Sequence, residues 1–333
     1  MKKPIIGIAV LIAVVIGIGF VLPRTAHVER AIVIEAPPAN VFTVLNGFRQ
    51  FNAWSPWADI DPNAKTVLEG PAAGVGSKMS WSGNAEVGEG SQEIVESTPH
   101  RLIKVKLGFG DFPGDFTATY TLVPEGTGTR ITWGFDADYG SSLMGRYFGL
   151  LSDAMLGPDY EKGLSRLKAY VDKLPKGDLS TLSFEQVEVP ASIVVITSIR
   201  STDTPSAIGV SLGVAYGRLQ GYMSTAGLKQ AAPPMAIYRG TDGGTVAIDA
   251  AIPVDRADAA PAGAIRIEKL AGGPAMRAEY KGPYTGLPGA RAQLQAYLVA
   301  TGERSTGAVW EQYVSDPAKV GDADLVTHIF SPI

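Results

Sequence analysis

The hydrophobic pattern begins with a run that has no polar face. From Pro4 to Leu22 the chain carries nineteen residues without a charge, rich in Ile, Val, Leu and Gly. An α-helix needs roughly 20 apolar residues to cross about 30 Å of hydrocarbon, so this run predicts an N-terminal transmembrane helix, with residues 1–27 as anchor and flank. Lys2 and Lys3 precede it and favour a cytoplasmic N-terminus, although Arg24 and Arg30 follow. The run is longer than the usual core of a cleaved signal, and Gly19–His27 offers no good small-x-small site. The expectation is a single-pass protein of the inner (cytoplasmic) membrane, with periplasmic or otherwise extracytoplasmic domains.

Beyond the run the period changes to alternation. Glu29–Glu35 reads as a strand, and the Pro-Pro turn after it leads into a short helix. Further strands are expected at Lys78–Ser82, Gly90–Glu96, Leu102–Phe109, Asp115–Val123 and Arg130–Ala137, with hairpin chemistry between the last two. From Leu143 to about Leu174 the period is helical, and Gly157-Pro158 is expected to kink or restart the helix. Residues 175–181 read as a linker. The remainder repeats itself: a strand over Phe184–Ser198, a helix over Pro205–Ala226, then strands at Met235–Arg239 and Thr245–Ile252. Strands at Ala264–Leu270 and Ala275–Lys281 follow, then a helix over Leu287–Ala300 and strands at Val309–Val314 and Asp324–Phe330. The fold class expected is α+β, with one domain over 28–174 and an internally duplicated β-α-β-β domain over 182–333.

Composition narrows the chemistry. There are no cysteines, which removes disulfides, thiolate catalysis and cysteine-ligated metal sites. His27, His100 and His328 stand apart in sequence, so a histidine metal centre is poorly supplied. The expectation is no metal and no cofactor. A net charge of −4 and the absence of a basic tract give nucleic-acid binding little support. Gly74-Val-Gly and Gly88-Glu-Gly lack the strand–helix context of a nucleotide loop and read as turns.

Four segments carry a resemblance over residues 28–174: IEAPPANVF at 34–42, FNAWSPW at 51–57, GVGS at 74–77 and YEKGLSRLK at 160–168. In this order the region resembles the polyketide cyclase/START-like (SRPBCC) superfamily. The resemblance implies a helix-grip fold, in which a curved sheet wraps a long terminal helix around an apolar tunnel. It implies no shared catalytic motif, because such folds host cyclases, hydrolases and carriers alike. The residues themselves offer Trp54, Trp81 and Trp133 as cavity walls, with ordinary core packing as the competing role.

Three further segments, YKGPYTGL at 280–287, WEQYVSDP at 310–317 and LVTHIFSPI at 325–333, resemble the GyrI-like, bacterial effector-binding family. This resemblance implies a cleft between two repeats that takes aromatic or cationic small molecules, and it singles out Glu311. On a strand, Glu311 and Tyr313 share one face and Trp310 and Gln312 the other. Ionised, Glu311 would neutralise a cation held on aromatic rings; desolvated, it would serve as a general base or acid. Tyr216, Tyr238 and Tyr280 are candidate pocket walls, with core packing an equal contender for each. No helix-turn-helix precedes the region, which disfavours a DNA-binding regulator. Three functions stay open: binding of a small hydrophobic or cationic ligand in sensing, sequestration or transfer; hydrolysis of a reactive small molecule by Glu311; and, least favoured, a protein-interaction module whose clefts are filled by side chains.

Overall fold

In a computed structural model the structure describes residues 2–175 and 177–333, with only the backbone described for 2–10 and 12. The chain is mixed α+β and divides into two compact units. One runs to Leu174 and takes in Ala300–Gly302; the other comprises Pro175–Val299 and Glu303–Ile333.

The first unit opens with helix α1 (Lys2–Val21) and strand β1 (Thr25–Ile34). Two short helices follow, α2 (Pro38–Leu45) and α3 (Phe51–Trp54), then β2 (Lys65–Glu69), β3 (Lys78–Ser82), β4 (Glu89–Thr98) and β5 (Leu102–Gly108). β6 (Asp115–Glu125), β7 (Gly128–Asp138) and the long helix α4 (Leu143–Val171) complete it. The strands form one antiparallel seven-stranded sheet in the order β1-β7-β6-β5-β4-β3-β2. Ser142 caps α4 by accepting from the Gly145 backbone N–H, and the helix runs through Pro158 without restarting. Its buried residues, Tyr160, Leu164, Leu167 and Val171, fall at helical spacing and face the sheet.

The expected membrane anchor is overturned. Among the described residues no helix is long and apolar enough to cross a membrane. The first part of the expected span, residues 4–10 and 12, lies outside the described side chains. The end of the helix is also engaged by polar groups of α4. Arg146 Nη1 donates to the carbonyl oxygens of Phe20 at 3.1 Å and Leu22 at 3.3 Å, and Tyr147 Oη donates to that of Val15 at 2.5 Å. A guanidinium at a helix C-terminus complements the helix dipole, whereas in hydrocarbon it would be costly. The single-pass inner-membrane placement and the membrane partner therefore lose their basis.

The second unit begins with β8 (Ser183–Val189) and β9 (Ser192–Thr202). A single strand was expected there, but Pro190 offers no ladder N–H and the strand divides at it. Next come α5 (Pro205–Ala226), β10 (Met235–Asp242), β11 (Thr245–Val254), β12 (Arg266–Leu270) and β13 (Gly273–Lys281). Helix α6 (Leu287–Thr301), β14 (Trp310–Tyr313) and β15 (Val326–Pro332) close the chain. The eight strands make one antiparallel sheet ordered β12-β9-β11-β10-β14-β15-β13-β8. This order is a duplication: β9-α5-β10-β11 answers β13-α6-β14-β15, and each repeat lends its preceding strand to the edge of the other. The exchanged strand extends the expected β-α-β-β unit.

The repeat is legible residue by residue. One constant offset carries the buried Leu212, Ala215, Leu219 and Met223 of α5 onto the buried Leu287, Ala290, Leu294 and Leu298 of α6. It also carries Gly227 onto Gly302, each with the positive φ that ends a helix in the left-handed conformation. Strands β10 and β14 pair antiparallel at the centre of the sheet, and the same offset maps Ala236 onto Glu311, the residues that face each other in the register. Those two positions lie on the pseudo-twofold axis.

Candidate functional site

The centre of the second unit's sheet carries a buried charge. Glu311 is fully buried on the four-residue strand β14, between β10 and β15. A carboxylate buried alone would be prohibitively costly, and three donors meet this one. Tyr313 Oη donates to Oε2 at 2.8 Å, Tyr238 Oη donates to the same oxygen at 3.0 Å, and Arg291 Nη1 donates to Oε1. The Arg291 guanidinium carbon also stands 4.2 Å from the centre of the Tyr238 ring, a cation–π contact. Tyr216 and Tyr284 close the cluster by presenting edges to Tyr313, with ring centres 6.3 and 5.4 Å away.

Local sequence explains the placement. Alternation on β14 puts Glu311 and Tyr313 on one face, while Trp310 turns to the other and stacks on Phe330 at 4.9 Å. Tyr238 reaches the cluster from β10, the paired central strand. Arg291 comes from α6, one turn beyond Leu287 and three residues before Leu294, so it shares the helix's buried face.

Electrostatics within the cluster favour neutral tyrosines and a charged arginine. Burial first, and then the Glu311 carboxylate, push the Tyr313, Tyr216 and Tyr238 hydroxyls well above the usual phenol range. For Arg291 burial is the largest single influence and works to lower the pKa, but the charge and hydrogen bond of Glu311 together with Tyr238 and Tyr313 outweigh it, and the net shift is upward. The guanidinium and carboxylate therefore compensate each other. Tyr216 Oη is buried with no hydrogen-bond partner.

Tyr238 and Arg291 also form part of the wall of an open hollow of about 390 Å³, together with Asp203, Arg239, Val246 and Val309. Arg239 Nε donates to Asp249 Oδ2 at 2.8 Å, and Ser198 Oγ donates to the other oxygen of that carboxylate at 2.5 Å. Glu311, itself fully buried, does not line this hollow but is joined to its wall through the hydrogen bonds from Tyr238 and Arg291.

Of the residues singled out in this unit, the structure brings Glu311, Tyr313, Tyr238 and Tyr216 together. It leaves Tyr280 out: that hydroxyl donates to the Pro283 carbonyl at 3.0 Å, a turn contact. Tyr284, at the entry to α6, stands against Tyr313. Arg291 was not foreseen. Its signal was present, a charge within the apolar period of α6, where a surface helix places none.

In the first unit Trp54 and Trp133 are buried and pack edge to face, with ring centres 5.6 Å apart. Tyr160 of α4 stacks on Trp133 at 4.0 Å, and Tyr120 adds a tilted contact at 5.3 Å. Gly163 allows this approach, since a Cβ there would stand 2.7 Å from the Trp133 ring. The indole N–H groups of Trp54 and Trp133 are buried without acceptors. Trp81 lies apart, half-buried over its cross-strand partner Gly90 and edge-on to Phe109 at 6.2 Å. The three tryptophans thus do not line one site. Among the described residues no group of three acidic or histidine side chains is placed to hold a metal ion.

Residues 25–172 match the family model described as polyketide cyclase / dehydrase and lipid transport. This match supports a cyclase/dehydrase-type domain in the first unit and a ligand-binding role. No curated protein matches the chain. Among solved structures, protein CV1439 from Chromobacterium violaceum is similar at 22% identity, over 45% of this chain and 99% of its own, with a TM-score of 0.32. The EcmrR C-terminal domain is similar at 21% identity, over 45% of this chain and 96% of its own, with a TM-score of 0.40. The Aha1 dimer from Colwellia psychrerythraea is similar at 16% identity, over 44% of this chain and 97% of its own, with a TM-score of 0.33. At these TM-scores the structural likenesses say nothing further about what the chain binds.

Proposed function

We propose that the chain is a small-molecule-binding protein, and that its second unit works as a GyrI-like effector-binding domain whose ligand docks in the hollow beside Tyr238 and Arg291. The observation that carries this reading is that Tyr238 and Arg291, which hold the buried Glu311, also line an open hollow. Ligand sites commonly have volumes of roughly 300–1,000 Å³ and combine apolar walls with a few fixed polar groups. Here the polar groups are held by one another, so a ligand would meet a site already organised. The ligand is a small compound with an apolar or aromatic body, bound for sensing, sequestration or transfer.

Binding is favoured over hydrolysis by the same geometry. A water-activating carboxylate needs a lone pair directed at the water and a free charge to take its proton. Glu311 has two hydroxyl donors on one oxygen and a guanidinium on the other.

The test is a fluorescence and calorimetric screen of the full chain against aromatic, anionic and cationic compounds, repeated on Tyr238→Ala. The expected result is saturable binding that weakens at least tenfold in the variant, as expected when a central aromatic wall is removed. A wild type that binds nothing, or binding that Tyr238→Ala leaves unchanged, would overturn the proposal.

A further inference from the structure

The resemblance to effector-binding domains implies a cage that holds a cationic ligand against Glu311. The arrangement of this chain points elsewhere. A cation on a tyrosine cage needs a carboxylate to neutralise it and an aromatic face to lie on. Arg291 already takes both: its guanidinium is paired with Glu311, and its carbon stands 4.2 Å over Tyr238. The pseudo-twofold axis shows that this is a feature of one repeat and not of the scaffold. The offset that carries Ala236 to Glu311 and Tyr238 to Tyr313 carries Tyr216 to Arg291. The first repeat thus offers a tyrosine where the second offers a cation, and the hydroxyl of that tyrosine is buried and unpartnered beside the carboxylate.

We infer that Arg291 is the specificity-determining residue of the hollow: it occupies the cation position of the Glu311–tyrosine cage and closes that carboxylate to cationic ligands. The inference rests on the hollow being a ligand site and narrows what that site accepts. A competing cation would have to displace a guanidinium that is tethered, largely buried and doubly held. What remains for a ligand is the outward side of the guanidinium, which donates hydrogen bonds and accepts none. The compounds that fit are those offering a neutral or anionic acceptor, a carbonyl or a carboxylate, beside an apolar body. Asp203 on the wall is exposed and could draw cations to the mouth, so any cation effect has to be shown to depend on Glu311.

Benzamidinium, a planar aromatic cation, is the probe, read by calorimetry and by the shift it causes in the unfolding temperature. Wild type and Glu311→Gln are expected to give the same weak response. Arg291→Ala vacates the cage and is expected to bind benzamidinium at least tenfold more tightly than wild type, and the gain is expected to vanish in Arg291→Ala combined with Glu311→Gln. Arg291→Gln keeps a donor for Glu311 without the charge, and it carries the same expectation if the alanine variant does not fold. Wild-type binding that is lost in Glu311→Gln would overturn the inference whatever the arginine variants do. So would folded arginine variants that bind no more tightly than wild type. Either outcome would leave the hollow a ligand site, whereas a wild type that binds none of the wider screen sinks that reading instead.

Discussion

The two repeats of the second unit share a backbone and differ in chemistry. In one, the central strand and helix present Ala236, Tyr238 and Tyr216; in the other the equivalent positions hold Glu311, Tyr313 and Arg291. Buried Leu212, Ala215, Leu219 and Met223 of α5 correspond to buried Leu287, Ala290, Leu294 and Leu298 of α6, so the shared packing does not require the difference. It arises at the pseudo-twofold axis, where a single carboxylate can serve tyrosines from both repeats. An ion pair placed there is a poor device for stability, since well-packed apolar residues commonly do as well. Its presence in one repeat only is the reason to read it as part of a binding site.

The comparison can be pressed first by breaking the pair. Glu311→Ala leaves Arg291 buried without its partner, and the expected loss is about 3–5 kcal/mol, read from urea unfolding of the full chain. A double replacement by apolar residues, Glu311→Leu with Arg291→Leu, should cost much less than either single alanine variant. A double variant as unstable as the singles would mean that the pair itself holds the fold.

Smaller effects should separate the tyrosine that is hydrogen-bonded to Glu311 from the one that is not. Tyr313→Phe removes a hydrogen bond to a charged group and is expected to cost about 1.5–3 kcal/mol. Tyr216→Phe removes a hydroxyl that has no partner, and stability should be unchanged or slightly raised. Equal losses in the two variants would show that the Tyr216 hydroxyl is hydrogen-bonded after all.

Alkaline pH tests the burial of these phenols. Tyr216, Tyr238 and Tyr313 have folded-state pKa values raised above their ordinary value of 10.0, as do Tyr120 and Tyr160 in the first unit. A raised value means that the folded chain holds the proton more tightly, so this contribution is complete below about pH 10 and is lost as pH rises above it. The unfolding midpoint should fall steeply above pH 10, and less steeply in Tyr313→Phe.

Much of this architecture was legible in the chain. Alternation and turn chemistry located most strands, and the repeated strand–helix–strand pattern marked the duplication. Period two was enough to put Glu311 and Tyr313 on one face. Two features were not legible, and the role of a third could not be read from its local signal, each for a physical reason. Strand β2 (Lys65–Glu69) is exposed at every position, so no buried alternation marked it. The exchange of edge strands is a long-range pairing that no local window contains. Arg291 sits on a buried helix face, where its partner lies on a strand distant in sequence, and only that partner makes its position tolerable. The expected membrane span failed for a different reason: an apolar run was read without the groups that meet its end, Arg146 and Tyr147 of α4.

The claim that matters most is where the ligand sits. A crystal structure of the full chain with the tightest-binding compound from the screen addresses it directly. The account predicts the compound in the hollow, against Tyr238, with an acceptor atom on Arg291 and the Arg291–Glu311 pair intact. A compound bound away from this hollow, or one that replaces Arg291 at Glu311, would contradict it.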